Sequence, residues 1–354
     1  MPEKIKGKKL YCFGSGKQAE WLSYEISQIH LADQICAFVD NDLRKQGTFL
    51  TLDDIQIPIL SFEQFVAERN DSTVVLITSM YYSDMVDQLD AEPLLDDLEC
   101  YIEVFLEEPR ELAVIDDGNV RMQQIPKRIH YCWFGKQDIP EQYKKYIDSW
   151  KKLCPDYEII RWDESNYDYK KVKYTHQAYN AGKWAFVSDY ARLDVIEQYG
   201  GIYLDVDVEV VKNLDGLLAD QMFCGFEKGN CVNTGLGFGA VKGFELLKSM
   251  KEMYHQVDFL RDDGTLNLTA CTKYQTDFLK KNGLKRNGKQ QNIKGIKVYP
   301  RTVLAPYDFW GVDNQFSDMT HAVHHYAATW FSAKHSKERL VQRNCELKKR
   351  MQES

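Results

Sequence analysis

The sequence lacks any apolar run that approaches the roughly 18–20 residues needed to cross a bilayer. Its polar first ten residues, MPEKIKGKKL, lead into no apolar core of a signal peptide. An excess of positive charge is also missing: 45 lysines and arginines stand against 53 aspartates and glutamates, a net charge of −8. Because phosphate neutralisation needs a basic surface, nucleic acid is not expected as the main partner. We therefore expect a protein of the cytoplasm.

Ordered cysteine spacing is absent as well. The nine cysteines form an odd set without a C-x-x-C pair. This usage is typical of reduced thiols rather than of a disulfide framework. The 354 residues are enough for two domains, each with a core of its own.

Strand and helix patterns alternate in the first half, which predicts a small Rossmann-like parallel α/β domain over residues 7–108. The strand Lys9 to Phe13 ends in Gly14-Ser15-Gly16, and the strand Ile35 to Val39 ends in Asp40-Asn41-Asp42. A glycine turn and an acid at these places are typical of dinucleotide sites, but the third glycine of G-x-G-x-x-G is missing. A structural or regulatory role and nucleotide or sugar-nucleotide binding both stay open. An NAD enzyme would lack a catalytic partner in this half.

A linker over residues 109–123 precedes a second α/β domain over residues 124–332. Its first strand ends in the aromatic pair Trp133-Phe134. Further predicted elements are helices over Pro140 to Lys152 and Gln177 to Gln198 and a strand over Tyr157 to Trp162.

The most informative motif is the pair Asp205 and Asp207 in the run YGGIYLDVDVEV, Tyr199 to Val210. Side chains two apart on a strand share a face, so we expect the two carboxylates side by side. Aligned anions in an apolar run repel each other unless a cation lies between them, and such oxygen ligands suit Mg²⁺ or Mn²⁺. Taken alone, a D-x-D pair is more often a strand end whose carboxylates face water.

Asp189 and Arg192 lie three residues apart on the predicted Gln177 to Gln198 helix, so they share one of its faces. By themselves they would be interpreted as a surface ion pair. Their place in the chain changes this, since the order is an aromatic strand end at Trp133, a helix with S-D-x-x-R, and then D-x-D. Over about residues 124–332 this combination resembles glycosyltransferase family 32. That family includes bacterial capsular-polysaccharide and lipopolysaccharide sugar transferases and yeast mannosyltransferases.

The resemblance implies a GT-A fold, in which the D-x-D motif holds Mn²⁺ or Mg²⁺ against the donor pyrophosphate. Asp205 and Asp207 are then the catalytic residues: Asp207 ligates the metal directly, and Asp205 contacts the ribose or a metal-bound water. Asp189 and Arg192 bind the ribose and donor-sugar hydroxyls. Trp133 stacks on the nucleobase, with a core position as the alternative.

Three further donor-site residues follow from the resemblance. Asn233, in Asn233-Thr234-Gly235, would line the sugar pocket, although a plain turn explains the motif equally well. His325 would be a metal ligand; it matches the family better than the adjacent His324 because an aromatic and two small residues follow it. Trp330 would close over the leaving nucleotide.

The expected function is metal-dependent retaining transfer of a hexose from a nucleotide sugar to a glycan or a lipid-linked oligosaccharide in surface or capsular polysaccharide synthesis. A UDP-hexose is favoured over GDP-mannose. No single carboxylate identifies itself as a nucleophile, which favours front-face attack by the acceptor. A non-catalytic sugar-nucleotide-binding protein is the alternative, whereas an aspartyl phosphotransferase would carry its D-x-D early in the domain.

The C-terminal tail, residues 333–354, carries seven lysines and arginines between Lys334 and Arg350. Such a segment is suited to rest on the anionic inner face of the cytoplasmic membrane, where lipid-linked acceptors reside. A solvated terminal helix is the alternative.

Overall fold

A computed structural model of the chain describes residues 7–16, 19, 34–52, 55–79, 81–106, 110–115, 123–309, 311, 313–327 and 344. The chain divides into two compact units, one of Met1–Glu108 with Gln342–Ser354 and one of Pro109–Val341. Within the described ranges, no helix has the length and apolar character to cross a membrane.

The first unit is a parallel α/β structure, as predicted. Its elements are β1 (Lys9–Phe13), β2 (Ile35–Val39), β3 (Phe49–Leu52), β4 (Ile55–Leu60), α1 (Phe62–Glu68), β5 (Thr73–Ile77), α2 (Tyr82–Asp90) and β6 (Glu99–Ile102). The sheet order is β3-β4-β2-β1-β5-β6, and β3 alone of these strands joins its neighbour antiparallel. All five residues of β5 are buried, because a parallel strand has both faces covered.

The glycine turn and the acid after β2 meet at the carboxyl ends of these strands. Asp40 Oδ2 accepts hydrogen bonds from Ser15 N at 3.0 Å and from Lys45 Nζ at 2.9 Å. Burial opposes ionisation, but these donors lower the pKa of Asp40. Gly14 has a φ of 108°, and a Cβ there would lie 2.9 Å from Ser79 Cβ, so only glycine fits. The carboxylate is satisfied within the unit, which favours a structural role for the motif.

The second unit is a larger mixed α/β structure. Its elements are β7 (Arg128–Cys132), α3 (Glu141–Leu153), β8 (Glu158–Trp162), α4 (Lys173–Asn180), α5 (Trp184–Tyr199), β9 (Gly201–Tyr203), β10 (Val208–Val210), β11 (Met222–Glu227), β12 (Cys231–Val232), β13 (Phe238–Ala240), α6 (Glu245–Glu252), α7 (Cys271–Lys281), β14 (Gln291–Ile293), β15 (Ile296–Tyr299), α8 (Arg301–Leu304) and β16 (Ala322–His324). The main sheet runs β14-β15-β11-β13-β9-β7-β8, with β12 paired to β11, and β10 and β16 form a separate antiparallel pair. Helices α4 to α7 contribute to the core on one face and α3 and α8 to the core on the other.

The single helix predicted over Gln177 to Gln198 is in fact two helices, α4 and α5. The chain breaks at Gly182, which has a φ of 67°, and a left-handed residue ends an α-helix. Helix α5 then ends at Gly200, φ 66°, as the glycine pair predicts. From Asp189 to Ile196 every residue of α5 is buried, so the helix passes through the core rather than along the surface.

The single strand predicted over Tyr199 to Val210 is in fact two short strands, β9 and β10. β9 pairs with β7 and β13 in the main sheet, whereas β10 pairs with β16. The chain changes sheets between them through a turn in which Val208 N donates to Asp205 O at 3.0 Å. Asp205 and Asp207 therefore lie at this change of sheet and not on one strand face.

His130, in β7, is a buried structural histidine. Trp162 Nε1 donates to its Nδ1 at 3.0 Å, and its Nε2 lies 3.0 Å from Gly200 O. Since Nδ1 accepts, Nε2 carries the proton and donates to the carbonyl. Burial lowers the pKa of His130 to about 4. The neutral ring thus ties β7 to β8 and to the end of α5.

Part of the segment assigned to the linker packs within the second unit. Ala113 and Ile115 are buried in its core, and Thr302 Oγ1 donates to Glu111 O at 3.0 Å. The basic C-terminal tail lies outside the described residues except for Asn344, which is buried.

Candidate active site

Two carboxylates and one imidazole converge where the chain changes sheets. One ligand atom each from Asp205, Asp207 and His324 lie within 4.8 Å of one another. His324 reaches this point because the last residue of β16 pairs with Val208, the first residue of β10. Carboxylate oxygens and a neutral imidazole nitrogen are ligands for divalent cations.

Asp207 is held from two sides. Its Oδ1 lies 3.3 Å from His324 Nε2, and its Oδ2 accepts from Ala327 N at 2.8 Å. Tyr326 has a φ of 49°, and this left-handed turn brings the Ala327 N–H back to the carboxylate. Burial opposes ionisation of Asp207, but His324 and the Ala327 N–H hold its pKa well below the usual range. The group is an anion at neutral pH.

Asp205 forms an ion pair with Arg192. Arg192 NH2 donates to Asp205 Oδ1 at 3.1 Å, and Tyr203 OH donates to the same oxygen at 2.8 Å. Burial raises the pKa of Asp205 against the opposing charge of Arg192, and the Asp207 charge raises it further. The two acids thus repel each other, a cost that a bound cation would relieve.

Asp189 and Arg192 are not a surface ion pair. Asp189 Oδ1 lies 3.2 Å from Arg192 NH2, and the Arg192 side chain is only 5% exposed. Burial raises the pKa of Asp189 to about 6. One guanidinium therefore links Asp189 to Asp205 inside the protein.

The Asn233-Thr234-Gly235 turn also reaches the D-x-D motif. Asp205 N donates to Gly235 O at 3.3 Å. A Cβ on Gly235 would lie 2.3 Å from Asp205 Oδ2, so glycine is required for the carboxylate to occupy its place. Asn233 Oδ1 accepts from Gly235 N at 2.7 Å, and Asn233 Nδ2 donates to Glu227 Oε2 at 2.9 Å.

His325, the predicted ligand, faces away from the three-residue cluster. Its Nε2 lies 2.9 Å from Glu209 Oε2, and its ring stacks on Tyr146 with centroids 4.4 Å apart. Consecutive residues of an extended chain point to opposite sides, so only one of the two histidines can face Asp207. The structure gives that place to His324.

Of the two tryptophans of the predicted donor site, Trp133 is among the described residues and Trp330 is not. Trp133 is half-buried; its Nε1 donates to Gln137 O at 2.6 Å, and its ring packs against Tyr143 with centroids 6.0 Å apart. The pKa of Tyr143 is raised by burial and by the charge of Asp207. Trp330 lies outside the described residues.

The cluster of Asp205, Asp207 and His324 fits a divalent cation. Its two carboxyl groups stand so close that the charge of Asp207 raises the pKa of Asp205. Among the residues that the structure describes, the buried Nδ1 of His324 has no hydrogen-bond partner. Its other ring nitrogen, Nε2, lies 3.3 Å from Asp207 Oδ1, so the ring presents a nitrogen beside the carboxylates.

Comparison with known proteins agrees with this chemistry. The family model described as "Glycosyltransferase sugar-binding region containing DXD motif" matches residues 140–224. A mannosyl phosphorylinositol ceramide synthase of Saccharomyces cerevisiae is 34% identical over 111 residues, covering 30% of this chain and 29% of that protein. An inositol phosphoceramide mannosyltransferase of Schizosaccharomyces pombe is 29% identical over 123 residues, 31% of this chain and 37% of that one. The chain thus spans about a third of the length of these relatives.

Among solved structures, a PaToxG glycosyltransferase aligns with a TM-score of 0.38 and 21% identity, covering 45% of this chain and 69% of that one. Residues 140–224 therefore resemble a glycosyltransferase region with a D-x-D motif, and the similar proteins include named glycosyltransferases. The predicted α/β fold class is confirmed, with a smaller parallel α/β unit followed by a larger mixed α/β unit that contains the region matched by the D-x-D family model.

Proposed function

We propose that the chain is a metal-dependent retaining glycosyltransferase that transfers a hexose from a nucleotide sugar to a glycan or lipid-linked acceptor. The observation that carries this proposal is the convergence of Asp205, Asp207 and His324 within 4.8 Å. The two acids of this cluster lie in the region that matches the sugar-binding family model.

Asp207 and His324 would hold Mn²⁺ or Mg²⁺, and Asp205 would join them directly or through a water. A bound divalent cation supplies positive charge beside the departing diphosphate, where negative charge builds in the transition state. Asp189 and Arg192 would bind hydroxyls of the ribose and the donor sugar, since the guanidinium already lies against Asp205. Trp133 would stack on the base, and Trp330 would close over the nucleotide.

Front-face attack by the acceptor hydroxyl is the proposed route to retention. Double displacement would need a carboxylate under the anomeric carbon. Asp205, Asp207 and Glu227 are each engaged by neighbouring protein groups. A trapped glycosyl adduct on any carboxylate would overturn this route.

The donor is proposed to be a UDP-hexose or GDP-mannose. The sequence favours the uridine donor, whereas the names of the two yeast relatives favour mannose as the sugar and an inositol phosphoceramide lipid as the acceptor. A lipid-linked acceptor would also suit a cytoplasmic protein whose basic tail rests on the inner face of the membrane, including one active in capsular polysaccharide synthesis.

The test is a panel of UDP- and GDP-sugars incubated with the full chain and Mn²⁺, with released nucleotide as the readout. We expect slow hydrolysis of one donor without acceptor, lost on chelation of the metal and reduced by orders of magnitude in Asp207→Asn. Should every donor remain intact and none raise the Tm, the transferase proposal fails. Release of UDP from one donor or of GDP from GDP-mannose decides between the two candidates.

A further inference from the structure

Glu227 is a carboxylate that the sequence patterns do not single out. The fold brings it to the Asn233-Thr234-Gly235 turn, which contacts Asp205 of the D-x-D motif. It is the last residue of β11, and its register partner across the β11–β12 hairpin is Cys231. Asn233 follows that hairpin directly, which is why Glu227 Oε2 can accept from Asn233 Nδ2 at 2.9 Å.

The bond to Glu227 fixes which way the Asn233 amide points. A carboxylate only accepts, so it holds the NH₂ end of the amide. The carbonyl end is thereby turned to Gly235 N, which donates to Asn233 Oδ1 at 2.7 Å. With the amide reversed, an NH₂ group would face the Gly235 N–H, and neither donor would be satisfied.

The position of Gly235 in turn limits Asp205. The glycine backbone packs so closely that a Cβ would lie 2.3 Å from Asp205 Oδ2, and Gly235 O accepts from Asp205 N at 3.3 Å. A displacement of Gly235 therefore moves the first acid of the D-x-D motif.

The same turn is clamped independently from α7. Thr234 N donates to Gln275 Oε1 at 3.1 Å, and Gln275 Nε2 donates to Thr234 Oγ1 at 2.8 Å. Val232 N donates to Thr276 Oγ1 at 3.0 Å. Loss of the Glu227 bond should therefore change the orientation of Asn233 without unfolding the turn.

We propose that Glu227 is a positioning residue of the candidate active site. It orients the Asn233 amide and thereby holds Gly235 against Asp205. The proposal rests on the proposed transferase function for its activity readout. Glu227 is assigned no covalent step.

The experiment compares Glu227→Ala, Glu227→Gln, Asn233→Asp and the double variant Glu227→Gln/Asn233→Asp in the full chain. Donor hydrolysis and the Kd for Mn²⁺, measured by electron paramagnetic resonance, are the two readouts. Loss of a partner that orients a metal-site ligand typically costs about 10- to 100-fold in affinity or activity, and we expect this for Glu227→Ala and Asn233→Asp. Glu227→Gln keeps an acceptor oxygen and should stay within about threefold of wild type. Glu245→Ala, at a carboxylate that is 81% exposed, is the control.

The double variant gives the sharpest result. In Asn233→Asp two carboxylates oppose each other, whereas glutamine at 227 can donate to aspartate at 233 and restore the pair. We expect the double variant to regain at least about tenfold over Asn233→Asp in both readouts, the size of the loss that it reverses. Failure to rescue overturns the proposal. So does a Glu227→Gln that loses turnover as completely as Glu227→Ala with an unchanged Kd for Mn²⁺, since a nucleophile would behave in that way. If the wild type hydrolyses no donor, the transferase proposal fails, and the Mn²⁺ affinities still test the positioning role.

Discussion

His324 Nε2 lies 3.3 Å from Asp207 Oδ1, while the adjacent His325 pairs with Glu209 on the opposite side of the chain. The pairing of His324 with Val208 explains this arrangement, because it directs the ring of His324 into the space where the chain changes sheets. Of two chemically identical neighbours, only one can take part in the candidate metal site.

The two histidines therefore offer a matched pair of variants. We expect His324→Gln to weaken Mn²⁺ binding by about 10- to 100-fold, since a ligand is lost from a three-residue set. His325→Gln should change the Kd by less than about threefold, because its ring contacts Glu209 and Tyr146 rather than the two acids. Titration of the full-length variants with Mn²⁺ by electron paramagnetic resonance measures both constants. The reverse order would make His325 the ligand and exclude the assignment to His324.

Local patterns predicted the framework of the second unit well. The helix predicted over Pro140 to Lys152 is observed at Glu141–Leu153, and the strand predicted over Tyr157 to Trp162 at Glu158–Trp162. Both have strong periodicity and clear ends. The structure of the D-x-D run was predicted less well. Its apolar pattern is the same along the whole run and does not indicate that β9 and β10 belong to different sheets.

The choice between the two histidines depends on a long-range contact, which no local pattern contains. The small residues after His325 favoured it in sequence, but the register of β16 against β10 decides which ring faces Asp207. Glu227 was missed for the same reason, because its function depends on Asn233 across the hairpin. In contrast, helical spacing correctly predicted that Asp189 and Arg192 lie on one face of a helix. It did not predict that this face is buried.

Gly235 should tolerate no side chain. In Gly235→Ala the new Cβ would lie 2.3 Å from Asp205 Oδ2, which forces the carboxylate to move. Because misplacement of a catalytic group by about 1 Å can cost about 100-fold, we expect a loss of that order in donor hydrolysis. Gly16→Ala is the control, since none of the described residues has an atom within 4 Å of a Cβ there. Turnover within about threefold of wild type in Gly235→Ala would show that Asp205 need not occupy its observed place.

Arg192 should be essential for stability as well as for binding. Arg192→Met leaves Asp189 and Asp205 without the cation that lies 3.2 Å and 3.1 Å from them. Breaking a buried pair on one side costs about 3–5 kcal/mol, so we expect a loss of this order in the free energy of unfolding at pH 7. Urea unfolding followed by tryptophan fluorescence reports on the second unit, whose range contains six of the seven tryptophans. Arg161→Met, at a pair whose arginine is 41% exposed, should change it by less than about 0.5 kcal/mol.

Protonation of His130 should lower the free energy of unfolding of the second unit in mild acid. Its pKa is lowered by burial from 6.5 to about 4 in the folded chain, so the unfolded chain binds its proton first as the pH falls. Stability is complete above pH 6.5 and declines between pH 6.5 and pH 4, by a maximum of about 3 kcal/mol for a shift of this size. Asp189, whose pKa is raised to about 6, acts in the opposite direction in an overlapping range, so wild type alone does not isolate the histidine.

His130→Gln separates the two contributions. Glutamine offers an amide donor toward Gly200 O and does not titrate, while Asp189 is unchanged. We expect urea unfolding to show that wild type loses about 2–3 kcal/mol more than His130→Gln between pH 7 and pH 4.5. His176→Gln, at an exposed histidine of α4, is the control, and its unfolding should follow that of wild type. Equal slopes for wild type and His130→Gln would mean that His130 binds its proton as readily in the folded chain as in the unfolded chain, and the assignment of a neutral ring between Trp162 and Gly200 in mild acid would be wrong.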